Sequence, residues 1–320
     1  MAAAAQWTPP PRPTRSDGET RRVGVEIEFA GLRVPDAAQA VREVLGGEAR
    51  WINPHSAVVE GGPLGSFEVE LDTRYAHGEP PEDERLRAVQ ETLVDLASAV
   101  VPVEIVCPPI PWDRAHPIDD LCAALRRRGA EGTRDGWLYA FGLQLNVEPP
   151  AEDVPTLLAL IRAFCLLRDW LREAIDVDGT RRLMSFETPY PSTYCARVLA
   201  PDHPPDVRRL IDDYLAFNPA RDRELDLLPM LCMLDEARIR RRLPEEKINK
   251  RMTWHYRLPN SDFADPSWNV GLEWSRWVKV ERLAEDRARL AALSEEWLEN
   301  HGRMFPRDWT PRSREIAGSL

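Results

Sequence analysis

The chain has 320 residues, 43% hydrophobic and 30% charged, the balance of an ordinary globular protein able to bury a sizeable core. Its 53 acidic and 42 basic side chains give a formal net charge of −11, which argues against duplex nucleic acid as the main ligand, because phosphate repels such a surface. The same balance suits metal ions, cationic amines or metal-chelated nucleotides.

The first 21 residues, rich in Ala, Pro and Arg, have no apolar core of signal-peptide length and read as a disordered leader. Structure begins at Arg22, where Val23, Val25, Ile27 and Phe29 alternate with Gly24, Glu26, Glu28 and Ala30 in the period of a half-buried strand. A short helix follows over 36–45, then two extended stretches around Trp51–His55 and Ser56–Glu60. The Gly61-Gly-Pro-Leu-Gly segment is a turn and not a Walker loop, since no Gly-Lys-Ser/Thr follows. It leads into a second alternating strand, with Phe67, Val69 and Leu71 on one side and Glu68, Glu70 and Asp72 on the other. His55 reads as a surface side chain.

Residues 82–100 form an amphipathic helix that opens with acids, as the helix dipole favours. Val101–Val106, carrying Glu104, is a strand stopped by Cys107-Pro-Pro, and a further helix runs from Pro117 to Gly129. Phe141, Leu143, Leu145 and Val147 then oppose Gly142, Gln144, Asn146 and Glu148 in a fourth strand. Long helices are expected over 152–176 and 223–243, with a Pro- and Tyr-rich loop between them. Met252–Leu258 is a fifth strand, with His255 and Arg257 on its polar side, and one helix covers about 271–300. The organisation is a single domain over 22–310 with a helical insertion at about 151–245, closed by a basic tail, 311–320. No segment approaches the roughly 20 apolar residues that span a bilayer. The five scattered cysteines, without a CxxC pair, suit a reducing compartment. A cytoplasmic protein with neither nucleic-acid nor membrane partners is expected.

The fold class is α+β: an antiparallel sheet with one acidic face, and helices packed on the other. Alternate residues of a strand lie about 6–7 Å apart on one face, so Glu26 and Glu28 share a space that a cation can occupy. A lone Glu-x-Glu strand is usually a solvated face. Here the first four strands present no Lys or Arg on their polar sides, and a cation appears only at Arg257. That layout suits a metal–nucleotide cradle with a phosphate-directed arginine. Lys250 and Arg251, just before the fifth strand, could also reach phosphate. Tyr194 in the Pro-rich loop is a candidate for recognising substrate.

Four ordered segments carry a family resemblance: Gly24-Val-Glu-Ile-Glu, Val103-Glu-Ile-Val-Cys-Pro-Pro, Phe141-Gly-Leu-Gln-Leu-Asn-Val-Glu and His255-Tyr-Arg-Leu-Pro-Asn-Ser. They resemble the motifs of the amidoligase family, within the carboxylate–amine ligase superfamily that includes glutamine synthetase and glutamate–cysteine ligase. The resemblance covers roughly 22–150 and 250–262. It implies a glutamine synthetase-like fold, with ATP and Mg²⁺ as cofactors. It also implies an amide or isopeptide bond formed through an acyl-phosphate on amino-acid or peptide carboxylate and amine substrates. Superfamily relatives often assemble, which allows a homo-oligomer. Glu26, Glu28, Glu70 and Glu104 would be metal ligands. Arg257 would act at a phosphate, with Lys250 and Arg251 beside the nucleotide. Glu148 would accept a proton, and Gln144, Asn146, Asn260 and Tyr194 would meet substrate. Gln144 and Asn146 stand where the family commonly has two histidines, and amides cannot act as bases near neutral pH. The alternatives are a metal-dependent phosphotransferase or hydrolase on the same sheet, and a degenerate nucleotide- or peptide-binding protein.

Overall fold

A computed structural model describes residues 7–72, 101–133, 142–176, 188–203 and 206–320. The helix expected over 82–100 lies outside the described residues. The chain builds one antiparallel sheet from β1 (Arg22–Phe29), β2 (Glu48–Asn53), β3 (Ser56–Gly62), β4 (Gly65–Leu71), β5 (Val103–Val106), β6 (Ile110–Pro111), β7 (Leu143–Val147), β8 (Leu225–Asp226) and β9 (Trp254–Tyr256). The order across it is β2-β3-β4-β5-β1-β7-β9-β8, with the short β6 also on β1. Ten helices are described: α1 (Val34–Leu45), α2 (Pro117–Arg127), α3 (Val154–Ile175), α4 (Ser192–Leu199), α5 (Val207–Phe217), α6 (Leu228–Leu234), α7 (Glu236–Arg242), α8 (Val270–Glu285), α9 (Arg287–His301) and α10 (Thr310–Gly318). No described helix is long and apolar enough to cross a membrane.

The period of two decides which way each strand faces. Val23, Val25, Ile27 and Phe29 of β1 are fully buried, as are Val69 of β4, Ile105 of β5, and Leu143, Leu145 and Val147 of β7. Helices cover this apolar side. Tyr256 of β9 meets Trp277 of α8 at 5.3 Å and Phe164 of α3 at 6.2 Å between ring centres. All five cysteines are buried and free.

Four expectations need correction. Residues 7–21 are not a loose leader. Trp7 packs on Trp274 at 5.6 Å and donates its indole N–H to Asp119, and Trp274 donates to the Thr8 carbonyl. The stretch 223–243 is not one helix. It holds β8, α6 and α7, because Asp235 leaves helical geometry (φ −154°) and caps α7 by accepting from the Arg238 N–H. The stretch 271–300 breaks in the same manner at Asp286, which caps α9. The tail is the helix α10, packed on α3 with Ser313, Ile316 and Ala317 buried.

One buried ion pair ties two of these parts together and to the end of β7. Arg21 is wholly buried and grips the Glu281 carboxylate of α8 with both terminal nitrogens, one at 2.7 Å. It also donates to the carbonyls of Arg12 and Glu148, so the guanidinium leaves little unsatisfied. Trp277 completes the set by donating to Glu281. Replacing Arg21 with Met would strand the Glu281 charge in the core, at a cost of about 3–5 kcal/mol. Urea unfolding should show a drop of that size, whereas a loss under about 1 kcal/mol would mean that the pair is not holding the segment.

Candidate functional site

On the sheet's polar side, register sets neighbours. Glu28 of β1 lies opposite Glu104 of β5, which lies opposite Glu70 of β4, which lies opposite Ser56 of β3. Three carboxylates therefore share one line across adjacent strands, with directly opposed Cβ atoms about 5 Å apart. Glu28 Oε2 accepts from the Gly142 N–H at 3.0 Å, and Ser56 Oγ sits 3.4 Å from Glu70. Glu26 falls on the next line, between Val106 and Gln144. Among the described residues, no three His, Cys, Asp or Glu side chains already form a group able to hold a metal.

The line beyond that joins Gly24, Asn146, His255 and Asp226. Gly24 leaves room for Asn146: a Cβ at this position would stand 3.3 Å from the Asn146 Cβ, so Asn146 would have to give by a few tenths of an ångström. Asn146 and Gln144 are buried and bonded into a chain. Asn146 Nδ2 donates to Glu26 Oε1 at 2.7 Å, Gln144 Nε2 donates to Asn146 Oδ1 at 2.7 Å, and the same Gln144 nitrogen is 3.2 Å from His255 Nδ1.

Arginines gather beyond His255. Asp226 Oδ2 receives Arg221 at 3.2 Å and Arg257 at 3.4 Å, and its Oδ1 caps the Leu228 N–H at 3.0 Å. Burial holds the His255 pKa well below the ordinary imidazole range, and the charges of Arg257, Arg221 and Arg251 add to the effect. The face is thus acidic at β4, β5 and β1 and cationic at β8 and β9.

The structure brings together Glu26, Glu28, Glu70, Glu104, Gln144 and Asn146 across adjacent strands, and sets Arg257 beside Asp226 at the β8–β9 edge of the same sheet. It does not bring the others to them. Glu148 lies past the end of β7, where its carboxylate accepts from the Arg22 N–H at 2.8 Å and faces Arg15 at 3.6 Å. Its partners hold the chain at the other end of β1, so the proton-accepting role expected of it is corrected. Lys250 pairs with Glu236 of α7 at 2.7 Å on the surface, a structural ion pair. Arg251 is exposed, and only its charge reaches His255. Asn260 is buried, bridges Gly142 and donates to the Ile175 carbonyl at the end of α3. Tyr194 belongs to α4, not to a loop, and is buried edge-on against Tyr190 and Tyr214. Both are core members: Asn260 spends its amide on a main-chain carbonyl, and Tyr194 is wholly buried with its ring packed among other aromatics. Cys107 is another: burial, and next the Glu26 charge, pushes its thiol far above the usual range. Asp226 and Arg221 were missed. Their signal is the alternation Leu225-Asp-Leu before Leu228-Pro, which a helical reading of the stretch conceals.

The family model described as "putative amidoligase enzyme" matches residues 19–279, and the chain belongs to that family. No curated protein and no solved structure matches it.

The neutral His255 gives stability a pH dependence. Its folded pKa lies below the unfolded value of about 6.5. The unfolded chain therefore takes up the proton first, and this contribution is complete above about pH 6.5 and falls as the pH drops. The slope is about 1.4 kcal/mol per pH unit for one proton. His203, also held low by burial, adds to it in wild type and variant alike. Urea unfolding at pH 7 and pH 5 should show a smaller loss for His255→Gln than for wild type, and equal losses would contradict a neutral buried ring.

Proposed function

We propose that the protein is an ATP-dependent carboxylate–amine ligase on a glutamine synthetase-like catalytic sheet, forming an amide or isopeptide bond on an amino-acid or peptide substrate. The observation that carries this is the division of one face. The carboxylates of Glu70, Glu104 and Glu28 stand in line at one end, and Arg257 and Arg221 at the other. A nucleotide chelated to a hard cation needs both halves, oxygen donors for the cation and guanidinium groups for the phosphates. Family membership supplies the reaction class.

Carboxylate oxygens are the donors that Mg²⁺ prefers. Glu28, Glu104 and Glu70 would hold it, with Glu26 contributing from the neighbouring line. Bound there, Mg²⁺ would offset charge on the transferring phosphoryl group. Arg257 would orient that group while a substrate carboxylate oxygen bonds to the γ-phosphorus and the bond to the bridging oxygen breaks. The product is an acyl-phosphate and ADP. The lone pair of a neutral amine then attacks the acyl carbon, the acyl carbon–oxygen bond breaks, and phosphate leaves carrying the proton that the nitrogen gives up. The amides of Gln144 and Asn146 orient neighbours in this scheme and move no proton.

The same amides favour a second reading, a nucleotide- or peptide-binding protein without turnover, because neither can act as a base near neutral pH. The test is release of ADP and phosphate that depends on an added amine. It should fall by at least about a hundredfold in the Glu26→Gln, Glu28→Gln variant. Turnover without an amine points to a phosphotransferase or hydrolase. Nucleotide binding without any turnover supports the second reading, and turnover unchanged in the variant contradicts the site.

A further inference from the structure

The direction of each hydrogen bond in the buried polar chain follows from its first member. An ionised carboxylate only accepts. Asn146 must therefore turn Nδ2 toward Glu26 and leave Oδ1 on the other side. That oxygen also only accepts, so Gln144 must present Nε2 to it. The same Nε2 lies 3.2 Å from His255 Nδ1 and, being a donor, requires a lone pair there. The hydrogen of neutral His255 is thereby placed on Nε2.

That Nε2 is buried and has no hydrogen-bond partner among the described residues, and the side chain is 4% exposed. Register sets the ring between Asn146 and Asp226. Asp226 is already committed, one oxygen to the Leu228 N–H and the other to Arg221 and Arg257. A buried N–H with nothing to receive it is unfavourable. Here it stands beside two guanidinium groups, where an oxyanion would be drawn. Burial and the neighbouring arginine charges keep the ring neutral.

We infer that His255 is a donor to a phosphoryl oxygen, its Nε2–H aimed by the Glu26–Asn146–Gln144 relay at a phosphate group that Arg221 and Arg257 attract. The inference rests on the ligase reading only for naming phosphate; the tautomer does not depend on it. A metal ligand at Nε2 would need the lone pair there, which the relay excludes. A neutral donor gives the phosphate a direction without adding charge to a corner the arginines already make positive. Gln144 and Asn146 are then positioning residues, acting through His255 and Glu26. This gives the two amides a purpose at positions where the family commonly has histidines.

The test is ¹⁵N spectroscopy of the imidazole nitrogens in the intact protein at pH 7, with His255 assigned by its missing signals in His255→Gln. The expected spectrum is a neutral ring protonated at Nε2, whose resonance moves on adding metal-free sodium pyrophosphate. Affinity for pyrophosphate should fall roughly tenfold in His255→Asn, whose amide reaches only the Nδ1 position. It should fall less in His255→Gln, whose amide nitrogen can replace the Nε2 donor. A ring protonated at Nδ1 or at both nitrogens, no pyrophosphate binding, or a resonance that pyrophosphate leaves unmoved would each overturn the inference. So would a resonance that Mg²⁺ alone displaces. If the spectra agree while amine-dependent turnover is absent, the ligase reading falls and the donor stands.

Discussion

The alternation in β1 is the constraint on which the site depends. Val23, Val25, Ile27 and Phe29 have to face the helices, because leaving four such side chains in water forgoes about 1.5–3 kcal/mol each. Gly24, Glu26 and Glu28 are consequently forced to the opposite side. β1 is also central, with β5 on one flank and β7 on the other. A slip of one residue would push two carboxylates into the core and expose four apolar side chains. The register is therefore as firmly set as the core itself, and the functional residues inherit that firmness.

From this one strand the polar face is laid out in both directions. Toward β5 and β4 the register adds Glu104 and Glu70 to Glu28. Toward β7, β9 and β8 it replaces carboxylates with amides, then an imidazole, then Asp226 with its arginines. The change of charge along the face is thus a consequence of strand order. The amides form the join, and their bonds run from Glu26 to His255 without a break. At the far end of β1, Arg21 anchors the sheet to α8 through Glu281, and residues 7–21 follow it.

Much of the sheet was legible because a period of two survives in a single sequence wherever one face is buried. β1, the β3–β4 hairpin with its glycine turn, β5 and β7 are of this kind, and so is the split of polar and apolar sides. The helical half was less legible for local reasons. Asp235 and Asp286 interrupt apolar patterns that otherwise read as continuous helices, and a cap of one residue is hard to distinguish from an exposed acid. β8 is two residues long, too short for any period, so Asp226 and Arg221 were hidden with it. The Pro-rich start reads as disorder because its order comes from Trp274 and Asp119, far away in the chain. Tyr194 and Asn260 misled because residue type alone does not tell a tyrosine or amide at a site from one packed inside the core.

The central claim is that the carboxylate line and the arginine corner serve one nucleotide–cation complex. Calorimetric titration with ATP tests it most directly, run with Mg²⁺, with chelator, and on a Glu28→Gln, Glu104→Gln variant. The account predicts binding that Mg²⁺ strengthens, and that the variant reduces to the level seen with chelator. Binding indifferent to both, or no binding to the wild-type protein, would contradict it.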